Sequence, residues 1–180
     1  MTESQAEPGR PLVILTGPPG AGKTAVGKLL SDRLHTSFFD TDAEIEASMG
    51  KPVGDIFLDD GEVAFREMER AVAGQALNAD GAVVALGSGA VLDPDVQQRL
   101  AGQPVAYLSA DFGAIAKRLG LDRPRVIIPG NPRGRLRAML EERRPVYERL
   151  ATFTVDAGEL APEEIADEIE AWLTEGSPAS

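Results

Sequence analysis

The 180-residue chain contains no cysteine, which excludes disulfides, thiolate nucleophiles and zinc–thiolate centres. Histidine is almost as scarce: His35 is the only one. It follows a helical stretch with no evident partner, so it reads as a surface residue rather than a catalyst. No apolar run approaches the roughly 20 residues a transmembrane helix needs. The polar opening MTESQAEPGRP has no hydrophobic stretch of the kind a signal peptide carries. Positive charge is also short. A formal net charge of −11 argues against a general nucleic-acid binder, and no basic residue follows Arg149. We therefore expect a cytoplasmic protein with neither nucleic acid nor membrane as partner.

Most of the arginines lie between Arg118 and Arg149. That concentration suits a local anion site, and it equally suits a solvated, salt-bridged helix. The chain length fits one domain with one core. Short apolar runs (PLVILTG, SFF, AVVALG, PVAYLSA and TFTVDAG) alternate with helical patterns. This order predicts a doubly wound, five-stranded, mainly parallel α/β sheet flanked by helices. Residues 1–10 read as a leader, 11–175 as a single domain and 176–180 as a frayed tail. Residues 52–80 read as helix in two pieces broken near Gly61, and Pro145 is expected to kink or divide the helix that contains it. Trp172, on the final helix, is expected to pack against the sheet. The stretch LDRPRVIIPGNPRG, residues 121–134, is long for a connection between helices and reads as a lid.

One segment carries chemistry by itself. Residues 17–24, GPPGAGKT, match G-x-x-x-x-G-K-[ST] with a strand before and a helix after. Glycines let such a loop turn its N–H groups onto a phosphate, and the helix N-terminus adds a favourable dipole end. The candidate binding residues are Gly17, Pro18, Pro19, Gly20, Ala21, Gly22, Lys23 and Thr24. Lys23 can reach the β- and γ-phosphates, and the Thr24 hydroxyl can ligate Mg²⁺. A nucleoside triphosphate with Mg²⁺ follows; the acceptor does not.

After the second predicted strand comes DTDAE. Side chains two apart on an extended segment point the same way, so Asp40 and Asp42 can share one cleft. Helix capping is the plainer use of such residues. However, Thr41 and Glu44 have the spacing of a capping box, which would leave both aspartates free. Arg66 has Glu62 four residues before it, the spacing of a helical ion pair, and on local sequence it reads as a solvated partner in that pair.

Taken in order, GPPGAGKT, DTDAEIE, DIFLDDGEVAFREME, GSGAV, the arginine-rich lid and ERRPVY resemble the shikimate kinase family, from about Pro11 to Trp172. The resemblance implies a P-loop kinase that moves a phosphoryl group from ATP to the 3-hydroxyl of shikimate, in aromatic amino acid biosynthesis by way of chorismate, and that acts as a monomer. It implies that Asp42 contacts the reacting hydroxyl and Asp40 helps hold Mg²⁺. It replaces the solvated reading of Arg66 with a carboxylate anchor, shared with Arg143. Arg118 takes the adenine side. Arg125 meets the transferring phosphate, so the resemblance gives catalysis to Asp42, Lys23 and Arg125. Backbone N–H groups at Gly87, Ser88 and Gly89 help hold shikimate.

The chain departs from the family at three places. Ser88 stands between two glycines where the family commonly has a third. Arg125 is followed by Val126, whereas the Arg-Pro pair is Arg123 and Pro124, which makes Arg123 an alternative lid arginine. Some members place an arginine near the nucleotide just before the last helix, where this chain has AGELAP and no arginine. A kinase of another small hydroxy acid such as gluconate, or a nucleotide-binding regulatory homologue of weak activity, stays open as the alternative.

Overall fold

A computed structural model describes residues 9–122 and 130–176. Five strands form its sheet: β1 (Val13–Thr16), β2 (Phe38–Asp40), β3 (Val83–Ala85), β4 (Val105–Ser109) and β5 (Phe153–Asp156). Their order is β2-β3-β1-β4-β5, and every neighbouring pair is parallel. Among the described residues, eight α-helices connect and cover them: α1 (Lys23–Arg33), α2 (Thr41–Met49), α3 (Val53–Asp59), α4 (Gly61–Ala76), α5 (Pro94–Leu100), α6 (Phe112–Arg118), α7 (Pro132–Leu150) and α8 (Pro162–Glu175). The predicted five-stranded, doubly wound α/β class is what the chain adopts. None of the described helices is long and apolar enough to cross a membrane.

Strand alternation explains the layering. Val13 and Leu15 join the core beneath α1, α6 and α8, whereas Ile14 joins the opposite core beneath α4 and α5. All three are fully buried. A small third cluster, Ile45, Ile56 and Phe65, holds α2, α3 and α4 together beyond the sheet edge. Helix α7 serves both main cores: Leu136 and Leu140 enter the first, and Tyr147 enters the second.

The break near Gly61 is real, with α3 ending at Asp59 and α4 beginning at Gly61. Gly61 has φ 85°, a backbone setting natural to glycine. Gly50 ends α2 in the left-handed conformation, as a C-terminal glycine should. Trp172 stacks on Phe153 of β5 at 5.0 Å between ring centroids, as the sequence suggests. His35 is exposed and has φ 52°.

One expectation needs correction. Pro145 does not divide α7, which runs from Pro132 to Leu150. Burial of Leu140 on one side and Tyr147 on the other anchors the helix across the proline, and the exposed Glu141 leaves the freed carbonyl open to water. Strand β3 lies between β1 and β2. The described residues leave out most of the leader and tail, and the centre of the lid, so the lid arginines Arg123 and Arg125 lie outside them.

Candidate active site

The site lies beyond the carboxyl ends of the strands, where open α/β sheets place ligands. A cleft of about 410 Å³ is lined by Pro19, Gly20, Lys23 and Thr24 on one side, and by Asp40, Asp42 and Ser88 on the other.

The loop side is backbone-built. Gly17 has φ 146°, and a Cβ there would meet the Leu108 carbonyl oxygen at 2.6 Å, so the turn out of β1 admits only glycine. Gly22, at φ 98°, begins α1, whose first turn has no acidic residue and no side-chain cap. The first N–H groups of α1 are therefore left without a side-chain partner, as an anion site at a helix start requires. The Lys23 ammonium donates to the carbonyls of Gly17 (2.8 Å) and Pro18 (3.0 Å). Although the residue as a whole is half-buried, its charged end is enclosed. Desolvation lowers the Lys23 pKa to about 8, against the opposing pull of Asp42 and Asp40.

The two aspartates divide differently from the capping-box expectation. Asp40, not Thr41, caps α2: its Oδ1 accepts from the N–H groups of Asp42 (3.1 Å) and Ala43 (3.2 Å). Its Oδ2 accepts from the Thr24 hydroxyl at 2.6 Å. Capping and site chemistry are thus carried by the two oxygens of one carboxylate. Thr41 is fully buried, and its hydroxyl accepts from the Gly87 N–H at 2.8 Å. It ties α2 to the loop after β3, a tertiary use that sequence spacing cannot distinguish from a cap. Asp42 has no capping duty. Burial raises its pKa, while the Lys23 ammonium pulls the other way.

The acceptor side depends on glycines for space. A Cβ at Gly87 would lie 2.7 Å from Asp42 Oδ1 and 3.0 Å from Glu69 Oε1, and one at Gly89 would run into Arg66 Nη1. Ser88 is not among the residues with positive φ, so serine sits there without backbone strain. Its hydroxyl accepts from Arg143 Nη1 at 3.2 Å, and its carbonyl accepts from the Tyr147 hydroxyl at 2.6 Å.

Arg66 is more constrained than a solvated ion pair. It contacts Glu62 at 3.6 Å, as the spacing predicts, but its closer partner is Glu69 at 2.7 Å. The guanidinium also lies 5.6 Å from the ring centroids of both Phe57 and Phe65. Glu69 is only 3% exposed, and burial raises its pKa while Arg66 opposes the shift. Sequence reading assigned Glu69 no role. The available signal was its position three residues after Arg66, which puts both on one helical face.

Arg118, expected on the adenine side, uses its guanidinium edges on four backbone carbonyls. Nη1 donates to Gly20 and Ala21, and Nη2 to Ala157 and Gly158. It therefore binds the phosphate loop to the turn after β5. Arg133 and Arg137 lie over the Phe112 ring at 5.1 and 4.3 Å.

A parallel doubly wound sheet with a glycine-built phosphate loop, a loop lysine and a threonine hydroxyl defines a P-loop phosphotransferase. Comparison with known proteins narrows the class. The family model described as "Shikimate kinase" matches residues 19–174. A shikimate kinase of Thermobifida fusca is 53% identical over 88% of this chain and 92% of its own length. One of Salinispora tropica is 44% identical over 91% of this chain and 98% of its own. Among solved structures, a shikimate kinase from Acinetobacter baumannii in complex with shikimate superposes with a TM-score of 0.84 at 30% identity, covering 95% of this chain and 96% of that one. The chain belongs to the shikimate kinase family.

Proposed function

We propose that this chain transfers the γ-phosphoryl group of ATP to the 3-hydroxyl of shikimate, giving shikimate 3-phosphate and ADP. The observation that carries the reading is the convergence, on one cleft, of a phosphate loop with Lys23 and an acceptor wall with Asp42. Two arginines stand behind that wall, against Gly89 and Ser88.

In this mechanism, the phosphate loop amides and the Lys23 ammonium hold the β- and γ-phosphates. The hydroxyl oxygen forms a bond to the γ-phosphorus as the bond to the leaving ADP oxygen breaks. Asp42 orients that hydroxyl and accepts its proton; a carboxylate whose pKa is raised by burial is the better base. Arg66 and Arg143 take the carboxylate at the far end of the ring, using the paired donors a guanidinium offers. Positioning and charge stabilisation dominate such a transfer, which has a loose transition state. Arg125, or its alternative Arg123, supplies charge from the lid.

The Thr24 hydroxyl and Asp40 carboxylate form an all-oxygen pair 2.6 Å apart. That donor chemistry fits Mg²⁺, which binds through one or two carboxylates together with water and substrate phosphates. When bound, the ion neutralises phosphate charge. A monomeric, cytoplasmic enzyme completes the proposal.

ADP release, measured with ATP and Mg²⁺ in the presence of shikimate, gluconate or no acceptor, tests this reading. Shikimate-dependent release is expected. Release that follows gluconate, or tight ATP binding without turnover of either acid, would overturn it.

A further inference from the structure

We infer that Ser88 is a positioning residue for the acceptor's carboxylate: its hydroxyl holds Arg143 so that one edge of the guanidinium is left for the acid. This inference rests on, and deepens, the reading of Arg143 as a carboxylate anchor.

The glycines on either side of Ser88 face the ends of functional side chains. A side chain at 87 would collide with the carboxylates of Asp42 and Glu69, and one at 89 with Arg66. Between them, Ser88 lines the cleft and adopts no left-handed backbone conformation. Where the resembling family commonly has a third glycine, this chain therefore gains a hydroxyl at no conformational cost. That hydroxyl is engaged with Arg143 Nη1 at 3.2 Å. One helical turn further along α7, the Tyr147 hydroxyl donates to the carbonyl of the same serine at 2.6 Å. Ser88 is thus fixed at its backbone by α7 and in turn fixes a side chain of α7.

The remaining guanidinium geometry indicates what this hold achieves. Arg143 Nε is buried and makes no hydrogen bond, although the Tyr147 hydroxyl lies beside the guanidinium, and a buried donor left unpaired is unfavourable until an acceptor reaches it. With Nη1 occupied, Nε and Nη2 form the other edge of the planar group. Two parallel donors on one edge match the two oxygens of a carboxylate. A guanidinium without the Ser88 contact has more orientations to choose from, and ordering it falls to the acceptor on binding.

Steady-state kinetics of Ser88→Ala and Ser88→Gly, with shikimate and with its methyl ester as acceptors, test the inference. For the acid, KM should rise about 3- to 10-fold, as expected for one hydrogen bond, while kcat and the KM for ATP stay within about 2-fold. Ser88→Thr, which keeps the oxygen, should recover most of the loss. The penalty should disappear with the methyl ester and in an Arg143→Ala background, which a merely structural defect would not produce. An unchanged KM for shikimate, or an equal penalty on acid and ester, overturns the inference. If the unsubstituted protein fails to phosphorylate shikimate, the proposed function falls and this inference with it. If it succeeds and the Ser88 variants match it, only the inference falls.

Discussion

The proposed phosphate wall of the cleft comes from one continuous stretch, Gly17 to Thr24, where backbone N–H groups at an uncapped helix start are the expected donors. The acceptor wall is assembled from four places: Asp42 on α2, Arg66 and Glu69 on α4, Ser88 after β3, and Arg143 on α7. The first wall is local and nearly free of side-chain charge beyond Lys23. The second brings ionised groups together, some of them buried, and each relies on another to be tolerable there. The comparison teaches that a generic task, holding phosphates, can be written into eight consecutive residues. Recognition of one particular acid requires the whole fold.

Substitutions should separate the two walls, and the largest effect is expected at their meeting point. Asp42→Asn should lower kcat by about 10²- to 10⁴-fold, the range typical of a general base, with ATP affinity little changed in a binding titration. Near-normal turnover would remove Asp42 from the mechanism. Next, Arg66→Ala should raise the KM for shikimate by about 10- to 100-fold through loss of a charge-assisted contact, without raising the KM for ATP. Comparable damage to both constants would show that the walls are not independent.

The phosphate wall has its own signature in pH. Burial lowers the Lys23 pKa to about 8, so the free protein loses this charge as pH rises through that value. Phosphate binding favours the charged form. Nucleotide affinity should therefore be full below pH 8 and weaken above it, by about 10-fold at pH 9 if only the charged form binds. Calorimetric titrations at pH 7 and pH 9 would show this, and Lys23→Ala should abolish the dependence. Folding has the opposite sign: with its pKa lowered from 10.5 to about 8, Lys23 costs the ligand-free protein stability below pH 8, and that cost is relieved as pH rises from about 8 towards 10.5. The smallest effect should come from Thr41→Val, which leaves the buried Gly87 N–H without its acceptor. A cost of about 1–3 kcal/mol is expected, read as a drop of several degrees in Tm, with activity reduced less than by either charge substitution.

This division also explains what was legible in the sequence. The phosphate loop and the alternation of strands and helices are local patterns, and the structure reproduces them. Asp40 as the α2 cap was not legible, because Thr41 and Glu44 match a capping box as well. Only burial of the Thr41 hydroxyl against Gly87 N–H shows that it is used elsewhere. Arg66 reads locally as a solvated partner of Glu62. Its tighter contact with the buried Glu69, and its place beside the Phe57–Phe65 ring pair, depend on how α3 and α4 pack. The link from Ser88 to Arg143 joins residues 55 positions apart, and no local spacing encodes it. The resemblance to a family brought several of these residues together before geometry did, but it was silent on how they hold one another.

The contacts of Arg118 bear on which nucleotide this protein can tell apart. Its guanidinium edges are engaged with carbonyls of the phosphate loop and of the turn after β5. A nucleobase meeting this residue would therefore meet its flat face. Stacking on a face is indifferent to the donors and acceptors around a purine's rim. Discrimination between adenine and guanine would then fall to whatever reads the edge of the base, leaving Arg118 as a platform that accepts either.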